Sequence, residues 1–425
     1  MKIYKGFEKE AADILEQRFK KTNVAEIVSG VIANVIENGD RAVLEYTEKF
    51  DKVRLDSLRV SEDEIAQAFK SIDPEFIRVL ERAAENIREF HSAQVRDGFA
   101  LKNRPGVVLG QKVLPLERVG IYVPGGTAAY PSTVLMNTIP AKIAGVKDIY
   151  IVSPPGPDGK VKPEIVAAAK VAGADAIFKV GGAQAVAALA YGTETIPKVD
   201  KIVGPGNAFV AEAKRQVFGK VAIDMIAGPS EILVIADGKA SPEIIAADLL
   251  SQAEHDRLAA SILLTTSEDV AQKTVKAVNE QLEKLPRKEI AGASIENNCI
   301  ICVCGDLGEA IEIANEIAPE HLELLVDNPF DYLDDIKNAG SVFLGRNCPE
   351  ALGDYMAGPN HTLPTGGTAR FSSPLSVDDF VKKMQFSYFS DEALDGLYED
   401  VAYFARQEGL EAHARSAEIR SKIKR

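Results

Sequence analysis

The sequence predicts an α/β protein with two parallel-rich sheets, a helical N-terminal segment and a helical C-terminal tail. From Val119 onward, short β-branched runs alternate with helical stretches rich in Ala and Val, which is typical of parallel βαβ units. Before about residue 100, apolar residues recur every three or four positions, as on one face of a helix. After Ser376 the chain is polar and poor in strand signals.

In the N-terminal region the three- and four-residue spacing of apolar residues predicts helices, with a break at Asn38-Gly39-Asp40. The apolar residues that set its period are Ile27, Val31, Ile32, Val35 and Ile36. From Val119 a first series of short apolar runs predicts strands at GIYV, DIYIVSP, AIFKV, KIVG and EILVIAD. Helices such as PEIVAAAKVAG and AQAVAALAYG lie between them, so right-handed crossovers are expected.

A second α/β series follows the loop at Ala227–Ser230. It predicts a helix from about Ser241 to His255 and another through Val278, with strands SILLTT, CIICVC and SVFLG. A Gly- and Pro-rich run at residues 358–374 precedes the tail. Because the tail cannot bury a core alone, we expect it to pack on something else, and a neighbouring subunit is a candidate.

Composition narrows the function classes. The chain has 425 residues and a net charge of −14, which argues against a nucleic-acid or anionic-membrane surface. It shows no apolar run long enough for a membrane span, and its start is too charged for a signal peptide. Four cysteines do not suggest a disulfide scaffold. We therefore expect a cytoplasmic protein whose partners are small molecules or other copies of itself.

Two polar pairs are candidates for chemistry. Gln252 and His255 lie three residues apart near the end of a predicted helix, so they share a face and could bind a cation; a polar helix end is the alternative. Glu320 and His321 precede the apolar run LELLV, where they could transfer protons at a strand end; a surface turn is equally compatible with this pattern.

Three further regions allow more than one interpretation. Asp354 and His361 lie in a long loop, which favours a ligand and a substrate contact, although a hinge would fit. The turns Val123-Pro124-Gly125-Gly126 and Gly204-Pro205-Gly206-Asn207 could approach a pyrophosphate, but G-x-G-x-x-G is absent and tight structural turns are the simpler interpretation.

The cysteines in NNCIICVC have the pattern of a buried strand. They lack the second CxxC pair of a structural zinc site. A catalytic thiol at Cys302 is the alternative to a structural role.

Taken together, long segments of the chain resemble the histidinol dehydrogenase family. The segments that carry the resemblance are ERVGIYVPGGTAAYPSTVLM, VGGAQAVAALAYGTE, KIVGPGNAFVAEAKRQV, DMIAGPSEILVIAD, DLLSQAEHD, APEHLEL, AGSVFLG, GDYMAGPNHTLPTGGTARFSSPLS and EGLEAHARS. They run in order from the first helices to the tail, and the clustered cysteines are not part of them.

The resemblance implies a role for each matching position. The implied zinc ligands are Gln252, His255, Asp354 and His413. The implied acid–base pair is Glu320 and His321. The implied NAD contacts are Tyr122, Gln184 and Asn207. The implied substrate contacts are Ser230, His321, His361 and Glu408, together with the metal ligands Gln252, His255, Asp354 and His413. A Gln ligand is unusual for zinc.

The resemblance also implies an architecture and a reaction. It implies incomplete Rossmann-like domains and a homodimer whose tails cross to complete shared active sites. We therefore expect an N-terminal helical segment at 1–20, an α/β domain of 21–121 plus 231–375 that carries zinc, a NAD-binding domain at 122–230, and a crossing tail at 376–425. The implied reaction oxidises L-histidinol through L-histidinaldehyde to L-histidine, with two NAD and one water.

Two other functions remain open from the sequence. A zinc hydrolase could use the same ligands with Glu320 as the base for water, but it leaves the two Gly-rich turns without a purpose. A non-catalytic nucleotide-sensing protein could use zinc only to join the dimer. The adjacent Glu320 and His321 argue against it.

Overall fold

The computed structural model describes residues 1–7, 9–17, 24–125 and 129–423. The strands are β1 (Lys2–Lys5), β2 (Phe99–Arg104), β3 (Val107–Pro115), β4 (Arg118–Tyr122), β5 (Asp148–Ser153), β6 (Ala176–Lys179), β7 (Lys201–Val203), β8 (Ala222–Ile223), β9 (Glu231–Ala236), β10 (Ala260–Thr265), β11 (Cys299–Val303), β12 (His321–Leu325), β13 (Ser341–Leu344) and β14 (Val381–Phe389). Within this part of the chain, no helix combines the length and apolarity of a membrane span.

The helices in these ranges are α1 (Lys9–Gln17), α2 (Ala25–Asp51), α3 (Glu62–Ser71), α4 (Pro74–Ser92), α5 (Pro131–Ala144), α6 (Pro163–Ala172), α7 (Gly182–Tyr191), α8 (Ala208–Val217), α9 (Pro242–Ala253), α10 (Glu268–Leu282), α11 (Lys288–Asn298), α12 (Leu307–Ile317), α13 (Glu350–Tyr355), α14 (Asp391–Asp395), α15 (Tyr398–Gln407) and α16 (Glu411–Lys422). Short 3-10 turns occupy Pro329–Asp335, Thr368–Arg370 and Val377–Phe380.

The chain forms two compact units. The first comprises Met1–Gln94 and Leu116–Phe380, and the second comprises Val95–Pro115 and Val381–Arg425. The predicted α/β class is confirmed in the first unit, where every strand we expected is present.

A six-stranded parallel sheet in the first unit has the order β1-β11-β10-β9-β12-β13. Alternate residues of β9 face opposite cores: Ile232 and Val234 pack with α9–α11, while Leu233 and Ile235 pack with α12. Burial on both faces explains why β9 is a continuous apolar run rather than an alternating one. β9 and β12 lie side by side, with Ile232 opposite His321.

A five-stranded parallel sheet, also in the first unit, has the order β6-β5-β4-β7-β8. Helices α3–α6 cover one face, and α2, α7 and α8 cover the other. We predicted that residues 21–121 form one domain with residues 231–375. Helices α2–α4, which lie in the first of these ranges, pack instead on the five-stranded sheet. The boundaries between the two α/β domains stay a prediction.

The second unit corrects the expectation of a purely helical tail. Its nine-residue strand β14 pairs with β3, and β3 pairs with β2, all antiparallel. Helices α15 and α16 then pack through Ala402, Ala405 and Ala414. The N-terminal segment likewise begins with a strand, since β1 pairs with β11. Both strands are short or exposed, so neither carries the buried apolar run that marks the central strands.

Candidate active site

Glu320 and His321 lie at the start of β12, and both side chains are buried. Ala318 follows α12 in a left-handed conformation, which turns the chain into the strand. The backbone N–H of Ser341 then donates to the carbonyl of Glu320. Helix α12 and strand β13 thus hold the predicted acid–base pair inside the protein rather than in a surface turn.

The backbone of Glu231 holds both members of the pair. Its N–H donates to Oε2 of Glu320 at 2.9 Å, and its carbonyl lies 2.9 Å from Nδ1 of His321. A carbonyl only accepts hydrogen bonds, so Nδ1 must carry a proton. In the neutral ring, Nε2 is therefore the nitrogen that is free to take a proton.

Burial changes the proton affinity of the Glu320 carboxylate. It raises the pKa of Glu320 well above its ordinary value, while the hydrogen bond from the N–H of Glu231 acts in the opposite direction. A carboxylate with a raised pKa takes protons more readily than an exposed one. The environment therefore suits general base chemistry.

Glu350 and Asp354 face His321 from α13. One oxygen of Glu350 lies 3.8 Å from Nε2 of His321, and one donor atom from each of the three residues lies within 4.8 Å of the others. Burial, followed by the charge of Asp354, raises the pKa of Glu350 to about 7. Like charges this close favour one protonated and one ionised carboxyl.

Asp354 is the ionised member of this carboxyl pair. Burial alone would raise its pKa, but the hydrogen bond from His361 and the charges of nearby histidines lower it to about 2. Nδ1 of His361 lies 3.2 Å from the Asp354 carboxylate. The structure thus brings Asp354 and His361 together, but it corrects the prediction that both lie in a long loop, because Asp354 belongs to α13.

Gln252 and His255 occupy the end of α9, as predicted. Gln252 is fully buried, yet neither its Oε1 nor its Nε2 has a hydrogen-bond partner among the described residues. Burial lowers the pKa of His255, and the charge of Asp354 opposes that change. A buried amide without partners is costly, and a cation bound to its oxygen would offset that cost.

These donors fit a divalent cation. The imidazole of His255 interacts electrostatically with the ionised carboxylate of Asp354, and zinc accepts imidazole and carboxylate ligands. Within the described residues, the triad of His321, Glu350 and Asp354 could also hold a metal ion. The two sets share Asp354.

Buried polar side chains order the loop after α13. Nδ2 of Asn360 donates to the carbonyl of Met136 at 2.6 Å, and Oγ1 of Thr365 accepts from the N–H of Gly228 at 2.7 Å. Gly228 belongs to the segment that leads to Ser230, the predicted substrate contact immediately before β9. The loop is therefore braced beside the site and is not a free hinge.

This site lies at the amino ends of β9 and β12. Ligands in open α/β sheets usually bind outside the carboxyl ends, at a switch in strand order. The strand order of the six-stranded sheet does switch between β9 and β12, but the buried polar groups lie at the amino ends of these strands. The candidate residues therefore lie at the less usual end of these strands, and their role as a site stays a prediction.

The predicted NAD contacts lie on the other sheet. Tyr122 ends β4, Gln184 lies in the first turn of α7 after β6, and Asn207 caps α8 after β7. All three positions lie at the carboxyl ends of strands of the five-stranded sheet. The strand order of this sheet switches between β4 and β7. This is the edge where nucleotides commonly bind.

Their exposure differs. Tyr122 is buried and its hydroxyl accepts from the N–H of Gly182 at 3.0 Å, Gln184 is buried, and Asn207 is exposed. Residue 126 of the first Gly-rich turn lies outside the described residues.

Glu408 and His413 belong to the second unit, where both are exposed. Glu408 follows α15, and His413 lies in the first turn of α16. Their exposure leaves them accessible to another chain.

The three clustered cysteines lie in or next to β11. Cys299, Cys302 and Cys304 are buried, and burial raises the pKa of Cys299 to about 12 and that of Cys304 to about 11. Thiols that stay protonated are poor nucleophiles. Cys302 lies within the apolar core beside α12, so the structure favours a structural role.

Sequence reasoning missed Glu231 and Glu350. Glu350 and Asp354 are four residues apart and therefore share one face of α13, a signal that was readable from the sequence. Glu231 acts through its backbone groups, which every non-proline residue carries. No residue pattern could have identified that role.

Comparison with known proteins gives a consistent result. A family model described as histidinol dehydrogenase matches residues 15–421. The histidinol dehydrogenases of Clostridium acetobutylicum and Geobacter sulfurreducens are 57% and 55% identical, covering 96% and 98% of this chain and 95% and 98% of their own lengths. The crystal structure of histidinol dehydrogenase from Elizabethkingia anophelis matches with a TM-score of 0.94 and 42% identity, covering 99% of this chain and 98% of that one. The chain belongs to the histidinol dehydrogenase family.

Proposed function

We propose that this protein oxidises L-histidinol through L-histidinaldehyde to L-histidine, using two NAD and one water. The observation that carries the proposal is a buried acid–base pair beside Asp354, a candidate metal ligand. Glu231 aligns Glu320 and His321 through its own backbone, and Asp354 interacts electrostatically with His321 and His255. A proton-transfer pair beside a cation site suits the oxidation of a chelating amino alcohol.

The proposed zinc ligands are Gln252, His255, Asp354 and the partner subunit's His413. Zinc bound there supplies a template that holds the amine and imidazole of the substrate and orients its alcohol carbon. The orphaned amide of Gln252 is the feature of this chain that such an ion explains.

His321 is the proposed base for the alcohol. Because Nδ1 is engaged by the Glu231 carbonyl, Nε2 takes the hydroxyl proton while a hydride leaves the carbon. NAD supplies the hydride acceptor in each of the two oxidations. The product of this first oxidation is the aldehyde.

Glu320 is the proposed base for water. Its carboxylate takes a proton from the water that adds to the aldehyde, and return of a proton to the aldehyde oxygen gives the hydrate. Loss of a second hydride and a proton then yields the carboxylic acid. Glu320 and His321 thus divide the work between the two halves of the reaction.

We propose Ser230, His361 and the partner subunit's Glu408 as further substrate contacts. His361 pairs with Asp354, so a substrate on the proposed ion would lie beside it. Tyr122, Gln184 and Asn207 are proposed to contact NAD at the edge of the five-stranded sheet.

We propose a homodimer with shared sites, as the ligand role of His413 requires. The second unit exposes many large apolar side chains, an unusual surface for a monomer. They are Val95, Phe99, Leu101, Met384, Phe386, Tyr388, Phe389, Val401, Tyr403, Phe404, Leu410, Ile419 and Ile423. A cytoplasmic location stays a prediction.

The proposal is tested by mixing purified protein with L-histidinol and NAD and following NADH absorbance. We expect two NADH per L-histidine formed, loss of activity after chelation, and its return with zinc. A zinc hydrolase would form no NADH, and a nucleotide sensor would bind NAD without consuming histidinol. Either result would refute the proposed reaction.

A further inference from the structure

Lys214 and Asp224 form an ion pair inside the first unit. Their side chains are only 2% and 1% exposed. Removing two charges from water is expensive, and a buried pair often contributes little net stability. Its presence therefore calls for an explanation beyond stability.

Both members of the pair hold backbone groups of the same residue, Gly204. The N–H of Gly204 donates to Oδ2 of Asp224 at 2.7 Å, and Nζ of Lys214 donates to the carbonyl of Gly204 at 2.9 Å. Charged partners make stronger and more directional hydrogen bonds than neutral ones. The donor and the acceptor of Gly204 are thus both held by charge.

Gly204 begins the turn that leads from β7 into α8. It has φ +108°, and a Cβ there would lie 2.2 Å from the carbonyl oxygen of Tyr122. The turn ends at Asn207, whose Oδ1 accepts from the N–H groups of Phe209 and Val210 at 3.0 and 3.2 Å. The backbone therefore passes directly against the end of β4, where only glycine fits.

The ion pair connects this turn to two other elements. Lys214 lies two helical turns along α8, the helix that Asn207 caps, and Asp224 follows β8. The position of residues 204–207 is consequently set by β7, α8 and the segment after β8 together. That position lies at the switch between β4 and β7.

We propose that Lys214 and Asp224 are positioning residues for dinucleotide binding, which hold the Gly204–Asn207 turn where its backbone and Asn207 meet NAD. This inference rests on the proposed use of NAD at this turn. Neither charge contacts the ligand; both act through Gly204. Removing the pair releases the turn without removing any proposed contact.

The test is the double variant Lys214→Met/Asp224→Asn, which removes both charges together and leaves no unpaired buried ion. The amide introduced at position 224 can still accept from the N–H of Gly204, but the carbonyl of Gly204 loses its donor. We expect KM for NAD to rise about tenfold or more, as for outer partners of other sites. We expect kcat at saturating NAD, KM for L-histidinol and zinc content to stay near those of the unaltered protein.

A matched control is Lys201→Met/Asp379→Asn. In that pair Lys201 lies on β7 and both side chains are largely buried. Neither residue holds the Gly204–Asn207 turn, so KM for NAD should not change. If the first double variant fails to fold, Lys214→Gln/Asp224→Asn also removes both charges but keeps a polar side chain at each position, and it should give a smaller rise.

Direct binding of NAD and NADH by calorimetry separates the possible failures. If the unaltered protein binds NAD and a folded Lys214→Met/Asp224→Asn variant binds it equally well, the positioning role is refuted while the proposed function stands. Equal losses in KM for NAD, KM for L-histidinol and kcat, in step with a lower Tm, would also refute it, since they indicate a general structural role. If the unaltered protein binds no NAD, the proposed function fails and this inference fails with it.

Discussion

Glu231 shows how one residue can organise two others without using its side chain on them. Its N–H and carbonyl point to the same side of β9, toward the start of β12, as the two backbone groups of one strand residue do. One group holds Glu320 and the other sets the proton on Nδ1 of His321. A substitution at Glu231 that preserves the strand should therefore preserve the alignment of both.

Replacing Glu320 with Gln tests the proposed division of labour. The variant keeps the hydrogen bond from Glu231 but has no base for water, so we expect oxidation of the aldehyde to fall by about 10²- to 10⁴-fold. Oxidation of the alcohol should fall much less. Single-turnover measurements started from L-histidinol and from L-histidinaldehyde compare the two halves.

The control for that measurement is His321→Asn, which should slow alcohol oxidation strongly. Equal losses in both halves for Glu320→Gln would contradict the separate roles of the two residues.

Cys302→Ala tests whether the thiol is structural. Cys302 is fully buried, so the substitution leaves a small cavity and should lower the free energy of unfolding by about 1 kcal/mol. Turnover should be close to that of the unaltered protein, and Cys299→Ala should behave alike. A collapse in kcat without loss of folding would instead indicate a thioester intermediate on Cys302.

At the scale of elements, burial on both faces made the central strands easy to predict. Runs such as EILVIA in β9 and ASILLT in β10 are wholly buried. A continuous apolar, β-branched composition is typical of strands buried on both faces, so these strands are recognisable from the sequence. β14 is exposed along nearly its whole length, and it therefore lacks that signal. The break expected at Gly39 is present only as a kink inside α2, where Gly39 has φ 52°.

Helix α9 and strand β12 are joined by a pair of buried carboxyls, Asp248 and Glu323. Burial and then the charge of Asp248 raise the pKa of Glu323 to about 9, and burial raises that of Asp248 to about 6. Facing carboxyl oxygens can hydrogen-bond only when a proton lies between them. The folded protein therefore keeps a proton that the unfolded chain has released.

This pair predicts a pH dependence of stability. Between pH 4.5, the ordinary pKa of Glu, and about pH 9, its pKa here, the folded state binds more protons than the unfolded state. The free energy of unfolding should therefore fall by up to about 1.4 kcal/mol for each unit by which the pH rises. Glu323→Gln can donate to Asp248 without that proton and should flatten the slope. Urea unfolding from pH 6 to pH 9 measures it.

Glu81→Gln, at an exposed position of α4, is the control and should keep the steep slope. Identical slopes for Glu323→Gln and the unaltered protein would exclude the shared proton.

At the scale of the whole molecule, the proposed shared site predicts complementation between two inactive variants. His255→Ala and His413→Ala each remove one proposed ligand. In a mixed dimer one site has lost both histidines and the other retains both. Random exchange should therefore restore about a quarter of full activity, because half of the dimers are mixed and each has one intact site. NADH formation after subunit exchange is the measurement.

Mixing Gln252→Ala with His255→Ala is the matched control. Both residues lie at the end of α9, so each mixed dimer would lack one ligand in each site and no activity should return. Absence of recovery in the first mixture, with exchange demonstrated by mass, would show that His413 does not serve a neighbouring subunit.

The sequence by itself determined the α/β class, the central strands, and which residues are chemically able to bind a metal or move protons. These properties are local, because periodicity and residue type are readable within a few turns of chain. The family resemblance extended them to the full set of proposed site residues.

Only the tertiary structure decided which of these residues meet, and how. His321 comes from β12, and Glu350 and Asp354 come from α13; their proximity depends on strand order and on which end of the sheet each connection reaches. The roles of Glu231 and Gly204 depend on backbone groups that most residues carry. Such groups acquire a function only from what the folded chain places opposite them, and no residue pattern encodes that placement.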